Sequence, residues 1–145
     1  MAAFGFFNSK NHTFFNVHEN ELLDAQERLG FEFPRELREF YLEVGYGFIK
    51  SRNQNAFNRF LGPGTIADIT LREDIYEFDP DLDGIYEEED QLVFFEVNEG
   101  VYLTLDLNQA SQTPVYYFET QIAGSLKEFI SKMDEHAEYF MQMVD

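Results

Sequence analysis

The amino-acid sequence predicts an α+β fold: a single domain with an antiparallel-rich, mixed sheet, two helices before it and one after. Three observations predict this. Apolar residues recur at helical period over residues 20–44 and again over 125–141, strand-like patterning fills residues 92–118, and neither an internal repeat nor a Ser/Gly/Pro-rich linker divides the 145 residues. A chain this long buries roughly two thirds of its unfolded surface, and its 17 Phe and 8 Tyr supply apolar area for one core. The expected organisation is one domain over residues 1–145, with residues 1–19 as an N-terminal arm or hairpin and 20–145 as the core.

Taken in order, Phe-Phe-Asn occurs at Phe6 and again at Phe14, on either side of a polar stretch, and reads as a short hairpin or extended arm. A first helix is expected from about Asn20 to Leu29. Leu22, Ala25 and Leu29 share a stripe, and Gly30 suits a left-handed C-cap. Pro34 fits the first turn of a second helix, where its missing N–H costs nothing. Leu37, Phe40, Tyr41 and Val44 follow at helical spacing, and Gly45 ends it. Phe57 to Leu61 reads as a strand closed by the breaker Gly62-Pro63-Gly64, and the following stretch as a short helix somewhere between Ile66 and Phe78.

Leu92 to Val97 and Val101 to Leu107 read as paired strands joined by a three-residue hairpin, Asn98-Glu99-Gly100. The second alternates Val101, Leu103, Leu105 and Leu107 with Tyr102, Thr104 and Asp106, the period of a half-buried strand. Val115 to Phe118 is a further strand. In the last helix Ser125 and Glu128 form a capping box, and Leu126, Phe129, Ile130, Met133, Ala137, Phe140 and Met141 make its apolar face.

Composition narrows the function. With no cysteine, disulfides, thiol nucleophiles and thiolate metal sites are excluded. The opening MAAFGFF lacks the charge and length of a signal peptide and no apolar run approaches a membrane span, so a cytoplasmic location is the default expectation. Ten basic residues against 28 acidic ones leave a net charge of −18. Such a chain is not expected to bind nucleic acid or anionic lipid, because binding phosphate needs cations. Solubility and a basic protein partner remain as explanations. No Lys or Arg lies between Arg72 and Lys127, a stretch with 14 acids, 12 of them between Glu73 and Glu99. Uniform solubilisation does not require that segregation, whereas one negative face does.

Chemistry-bearing motifs are few. Asp79, Asp81 and Asp83 with Gly84, Glu87 and Asp90 imitate a calcium loop. Pro80 interrupts it, Asp90 is shorter than the usual Glu, and the residues after it read as a strand instead of a helix, so an acidic surface loop is preferred. His12, His18 and His136 are scattered without metal-ligand spacing. Gly45-Tyr46-Gly47 and Gly62-Pro63-Gly64 match no phosphate loop and read as turns. No Gly-x-Ser-x-Gly occurs, and carboxylate pairs among 28 acids arise by chance. No catalytic residue, metal or cofactor is assigned, and the chain is not read as an enzyme.

The stretch ELLDAQERLGFEFPRELREFYLEVGYGFI resembles the N-terminal signature of the SUKH superfamily. Leu29-Gly30, Pro34, Leu37, Phe40, Tyr41, Gly45 and Gly47 carry the match. GVYLTLDL resembles that family's central strand and IAGSLKEFISKM its closing helix, so the resemblance runs from about Glu21 to Met133. It implies an α+β fold and, for most bacterial members, an immunity protein that binds and neutralises a cognate polymorphic toxin, often a nuclease. Fungal members look like regulators of cell-wall synthesis and signalling, and a regulatory interaction module without a toxin partner is the alternative. The matched residues are scaffold positions, so the partner-binding surface must come from charge. The residues assigned to it are Asp79, Asp81, Asp83, Glu87, Glu88, Glu89 and Asp90, with Phe78, Ile85 and Tyr86 as candidate anchors.

Overall fold

The computed structural model describes residues 4, 7, 12–49, 57–82, 90–98, 100–107, 113–135 and 139–142, without the side chains of Asp81, Met141 and Gln142. Its elements are β1 (Thr13–Phe15), α1 (Glu19–Leu29), α2 (Arg35–Glu43), β2 (Tyr46–Phe48), β3 (Arg59–Phe60), α3 (Pro63–Leu71), β4 (Gln91–Asn98), β5 (Val101–Asp106), β6 (Val115–Tyr117), β7 (Thr120–Ala123) and α4 (Leu126–Glu135). Short 3₁₀ turns lie at Asp74–Tyr76, Pro80–Leu82 and Tyr139–Gln142. The seven strands form one sheet in chain order, and every described pairing is antiparallel. The α+β class expected from the sequence is therefore observed.

The first two helices form where periodicity placed them. Gly30 closes α1 at φ 83°, its N–H donating to the Gln26 carbonyl at 2.9 Å. The carbonyl of Pro34 takes the first bond of α2, from Arg38 N–H at 3.0 Å. The Ser125 hydroxyl accepts from Glu128 N–H at 3.1 Å, as a capping residue should. A second cap arrives from another helix: Glu36 of α2 accepts from the N–H groups of Leu126 and Lys127 at 3.2 and 3.3 Å. A carboxylate there satisfies orphan donors and meets the positive end of α4.

Several expectations are corrected. Gly62-Pro63-Gly64 begins a helix instead of merely breaking a strand, because Pro63 occupies the first helical position, where no N–H is needed. Tyr46-Gly47-Phe48 is a strand and not a turn. Asn98 pairs directly with Val101, so the β4–β5 connection is one residue shorter than expected. Gly100 does take the left-handed position, at φ 75°. β5 is not half-buried: Tyr102 and Thr104 are as enclosed as Leu103 and Leu105, so its outer face is covered too. β7 has no signal strong enough to predict it. The second Phe-Phe-Asn stretch supplies β1, but its partner is β2, far along the chain, while Phe7 of the first is buried in the core. Ala137 lies outside the described residues.

One register row crosses the sheet: Phe14, Gly47, Phe60, Phe95, Leu103, Tyr117 and Thr120. Phe60 is its hub. Its ring centroid lies 4.6 Å from Phe40 of α2, 5.0 Å from Phe95, 6.1 Å from Phe129 of α4 and 6.0 Å from Phe14. Gly47 stands between Phe14 and Phe60 in the row, and those two rings meet with centroids 6.0 Å apart. A Cβ on Gly47 would strike the Thr13 carbonyl and Phe14 Cα, and its φ of 151° already disfavours a side chain. A bulge at Phe94, between the paired Val93 and Phe95, turns a further ring inward, 5.7 Å from Phe129.

Two expectations follow for stability. Gly47→Ala should push β1 off the sheet and lower the unfolding free energy by at least about 2 kcal/mol, since clash and strain add; denaturant titration measures it. The second concerns alkaline pH. The Tyr41 hydroxyl donates to the Leu61 carbonyl within the core, and burial pushes its phenol well above the ordinary range. Burial likewise raises Tyr139, which donates to the Ile122 carbonyl at 2.8 Å. Folded values above the unfolded value, about 10, contribute stability that is complete below that pH and lost as pH rises beyond it. Stability should therefore fall above about pH 10, with a shallower slope for Tyr41→Phe, which also costs about 1–2 kcal/mol at neutral pH.

Candidate partner-binding surface

The second register row, on the other face of the sheet, is polar in its middle: Thr13, Phe48, Arg59, Glu96 and Tyr102. Arg59 and Glu96 pair at 2.9 Å. Residues 72–82, which connect α3 to the approach of β4, form a strap over the Tyr102 side of this face. Tyr76 lies close enough to Arg59 and Glu96 to feel both charges, and Tyr76 and Asp79 both lie close enough to Tyr102 to act on it electrostatically. Burial chiefly, then the negative charge of Glu96 and the neighbouring Tyr76 and Asp79, pushes the Tyr102 phenol far above its usual range. The hydroxyl therefore stays protonated at any ordinary pH.

The strap is built from successive i→i+3 bonds: Tyr76 N–H to the Glu73 carbonyl at 3.1 Å, Glu77 to Asp74 at 3.3 Å, Asp79 to Tyr76 at 3.4 Å and Leu82 to Asp79 at 3.3 Å. Residues three apart eclipse in such turns. Tyr76, Asp79 and Leu82 consequently share the inward side, where Tyr76 and Asp79 are half-buried and Leu82 is 1% exposed. Ile75 and Phe78 share another side and are 76% and 86% exposed. Asp74 and Glu77 stand beside them in solvent.

Arg72 clasps the strap. Its Nε donates to the Tyr76 carbonyl at 2.9 Å and its Nη2 to the Asp79 carbonyl at 2.7 Å. The backbone on entry is strained, with Arg72 at φ 55° and Asp74 at φ 56°, both left-handed without being glycine. Arg28 of α1 ties the start of the strap down, with Nη2 at 2.6 Å from Asp68 and 2.7 Å from Glu73.

Of the residues assigned from sequence, Asp79 lies on the inward side of the strap, Asp81 falls in the 3₁₀ turn Pro80–Leu82, and Asp90 is half-buried just before β4, its carbonyl accepting from Leu107 N–H at 2.8 Å. Asp83, Ile85, Tyr86, Glu87, Glu88 and Glu89 lie outside the described residues. Phe78, proposed as an anchor, is the most exposed large apolar side chain described. Ile75 was not singled out, and its signal was the spacing of three to Phe78. Among the described residues no His, Asp and Glu group is arranged to hold a metal ion, and no helix is long and apolar enough to cross a membrane. His12 is engaged structurally, its Nε2 2.9 Å from Asp134 of α4 and its ring stacked on Phe7.

Two N-terminal helices joined through Leu-Gly and a proline, a sheet carrying aromatic rings beneath them and a closing helix define a SUKH-type scaffold. The chain belongs to the SMI1 / KNR4 family (SUKH-1), whose family model matches residues 16–132, from the end of β1 into α4. It is also 40% identical over 139 residues, 94% of this chain and 93% of the relative, to a protein named Immunity protein YxxD from Bacillus subtilis (strain 168). No solved structure gives a significant match.

If the Arg72 clasp holds the strap, Arg72→Ala should speed amide exchange over residues 74–79 by on the order of tenfold or more, since a hydrogen bond from a charged group is worth about 1.5–3 kcal/mol. Exchange at the wild-type rate would assign the holding to Tyr76 and Leu82 instead.

Proposed function

We propose that this protein is an immunity protein that binds a cognate toxin protein in the cytoplasm and neutralises it, the toxin being a nuclease with a basic substrate groove. The 40% identity to a protein named as an immunity protein supports the immunity role. The observation that carries the choice of partner is the charge: 12 acids between Glu73 and Glu99 with no Lys or Arg among them, next to a strap that holds Asp74 and Glu77 in solvent. A nuclease groove must be cationic to hold phosphate, and an inhibitor filling it must present carboxylates at matching density. The binding surface is the acidic segment comprising Asp79, Asp81, Asp83, Glu87, Glu88, Glu89 and Asp90, with Phe78, Ile85 and Tyr86 as its apolar contacts; Asp79, half-buried on the inward side of the strap, adds its charge to the field of that surface and not a direct contact. The protein contributes no catalysis and needs no cofactor: inhibition follows from occupying the groove.

On this reading the gene should lie just downstream of a large toxin gene, and co-expression with the C-terminal domain of that toxin tests the proposal. Growth should be rescued and the two proteins should co-purify; continued killing with no complex would reject it and favour a regulatory module without a toxin. Reversing charge at Glu87, Glu88, Glu89 and Asp90 to Lys should slow association by on the order of tenfold at low salt and flatten its salt dependence. Unchanged kinetics would remove these four residues from the interface.

A further inference from the structure

We infer that Ile75 and Phe78 form a pre-organised anchor pair, and that the toxin surface they fit is an apolar pocket rimmed by Lys and Arg; this rests on the immunity reading above. Their exposure, 76% and 86%, is not slack in the chain. The i→i+3 turns fix which side each residue takes, so rotating Ile75 and Phe78 toward the protein would draw Tyr76 off Arg59 and Leu82 out of the core. Two left-handed non-glycine residues and the inward-turned Arg72 guanidinium hold that arrangement in place. Left-handed Arg72 caps α3, its N–H donating to the Ile69 carbonyl at 3.2 Å, so the strap leaves the helix in a fixed direction; exposed apolar side chains carried on a backbone held in this way mark a presented surface.

The charge around the pair selects the occupant. Glu73, Asp74 and Glu77 are exposed beside it, and residues 73–82 contain no Lys or Arg. The three nearby guanidinium groups are engaged, Arg28 by Asp68 and Glu73, Arg59 by Glu96, and Arg72 by the Tyr76 and Asp79 carbonyls. A second copy of this chain docking here would bring like carboxylates together, and a phosphate-bearing surface would be repelled. A basic protein surface is attracted, and an aromatic–aliphatic pair ringed by charge matches the anatomy of an interface hot spot, in which buried anchors set dissociation and rim charges set association. Because the backbone that carries the pair is already held, little main-chain freedom is lost on binding, and that pre-organisation favours affinity.

The test measures association and dissociation rates separately, using as probe the catalytically silenced C-terminal domain of the adjacent toxin. Ile75→Ser and Phe78→Ser remove side chains already in water, so both variants should keep the wild-type unfolding midpoint. Each should dissociate on the order of 30-fold faster with association nearly unchanged. Asp74→Asn with Glu77→Gln should instead slow association and weaken its salt dependence. Amide exchange on the wild-type complex should show protection over residues 74–79. Wild-type dissociation rates for both serine variants, or protection confined to the β1–β3 face around Phe15 and Phe48, would overturn the anchor pair while leaving the immunity function standing. Absence of both complex and growth rescue for the wild-type chain would overturn the two together.

Discussion

The fold turns on Phe60, one half of a two-residue strand. Its ring meets Phe14 from β1, Phe40 from α2, Phe95 from the next strand and Phe129 from α4, so one side chain joins the sheet to two helices. Edge-to-face and tilted ring pairs each add about 0.5–1.5 kcal/mol beyond the area they bury. β3 needs no length of its own, because its register is set by what its ring touches. Gly47 is part of the same device: a Cβ there would strike the Thr13 carbonyl and the Phe14 Cα, so glycine lets β1 lie close against β2 and brings Phe14 into the row.

That packing leaves the two faces of the sheet with different tasks. The helix-covered face carries the stability of the molecule and is almost wholly apolar. The outer face supports Arg59, Glu96 and Tyr102, on which the strap rests through Tyr76 and Asp79. The rotation of the strap is fixed by the bonds of Arg72 to the Tyr76 and Asp79 carbonyls together with the half-buried Tyr76 and Asp79 and the buried Leu82. Backbone strain at Arg72 and Asp74 is then tolerated because the clasp and the platform over-determine the conformation.

For a protein proposed to neutralise a toxin by occupancy, this division has a functional logic. The SUKH-1 family match spans the scaffold from α1 into α4, and the strap is one connection within it. A connection can change its outward residues while keeping the inward ones, so partner choice is separable from folding. Tyr76 and Leu82 are turned toward the core, whereas Ile75, Phe78, Asp74 and Glu77 are exposed to solvent.

Much of the architecture was legible from local pattern. The stripes of α1 and α2, the Gly30 cap, the Ser125 cap and the long strands β4 and β5 each follow from a period or a capping chemistry contained within a few residues. Phe78 and the acidic run were legible too, because charge and hydropathy need no partner to be read. β2 was read as a turn, β3 was placed but drawn too long, and β7 was missed, since two to four residues hold few periods from which to identify or bound a strand. Their existence depends on rings and carbonyls brought from elsewhere. The same limit hid Ile75: nothing local says that a residue beside Tyr76 faces water while Tyr76 itself turns toward Arg59. By itself, then, the sequence determined the class of fold, the apolar supply for its core and the net negative charge of the chain. Only tertiary structure decided which face of the strap points outward, because that orientation is set by contacts with β3, β4 and β5, strands distant along the chain.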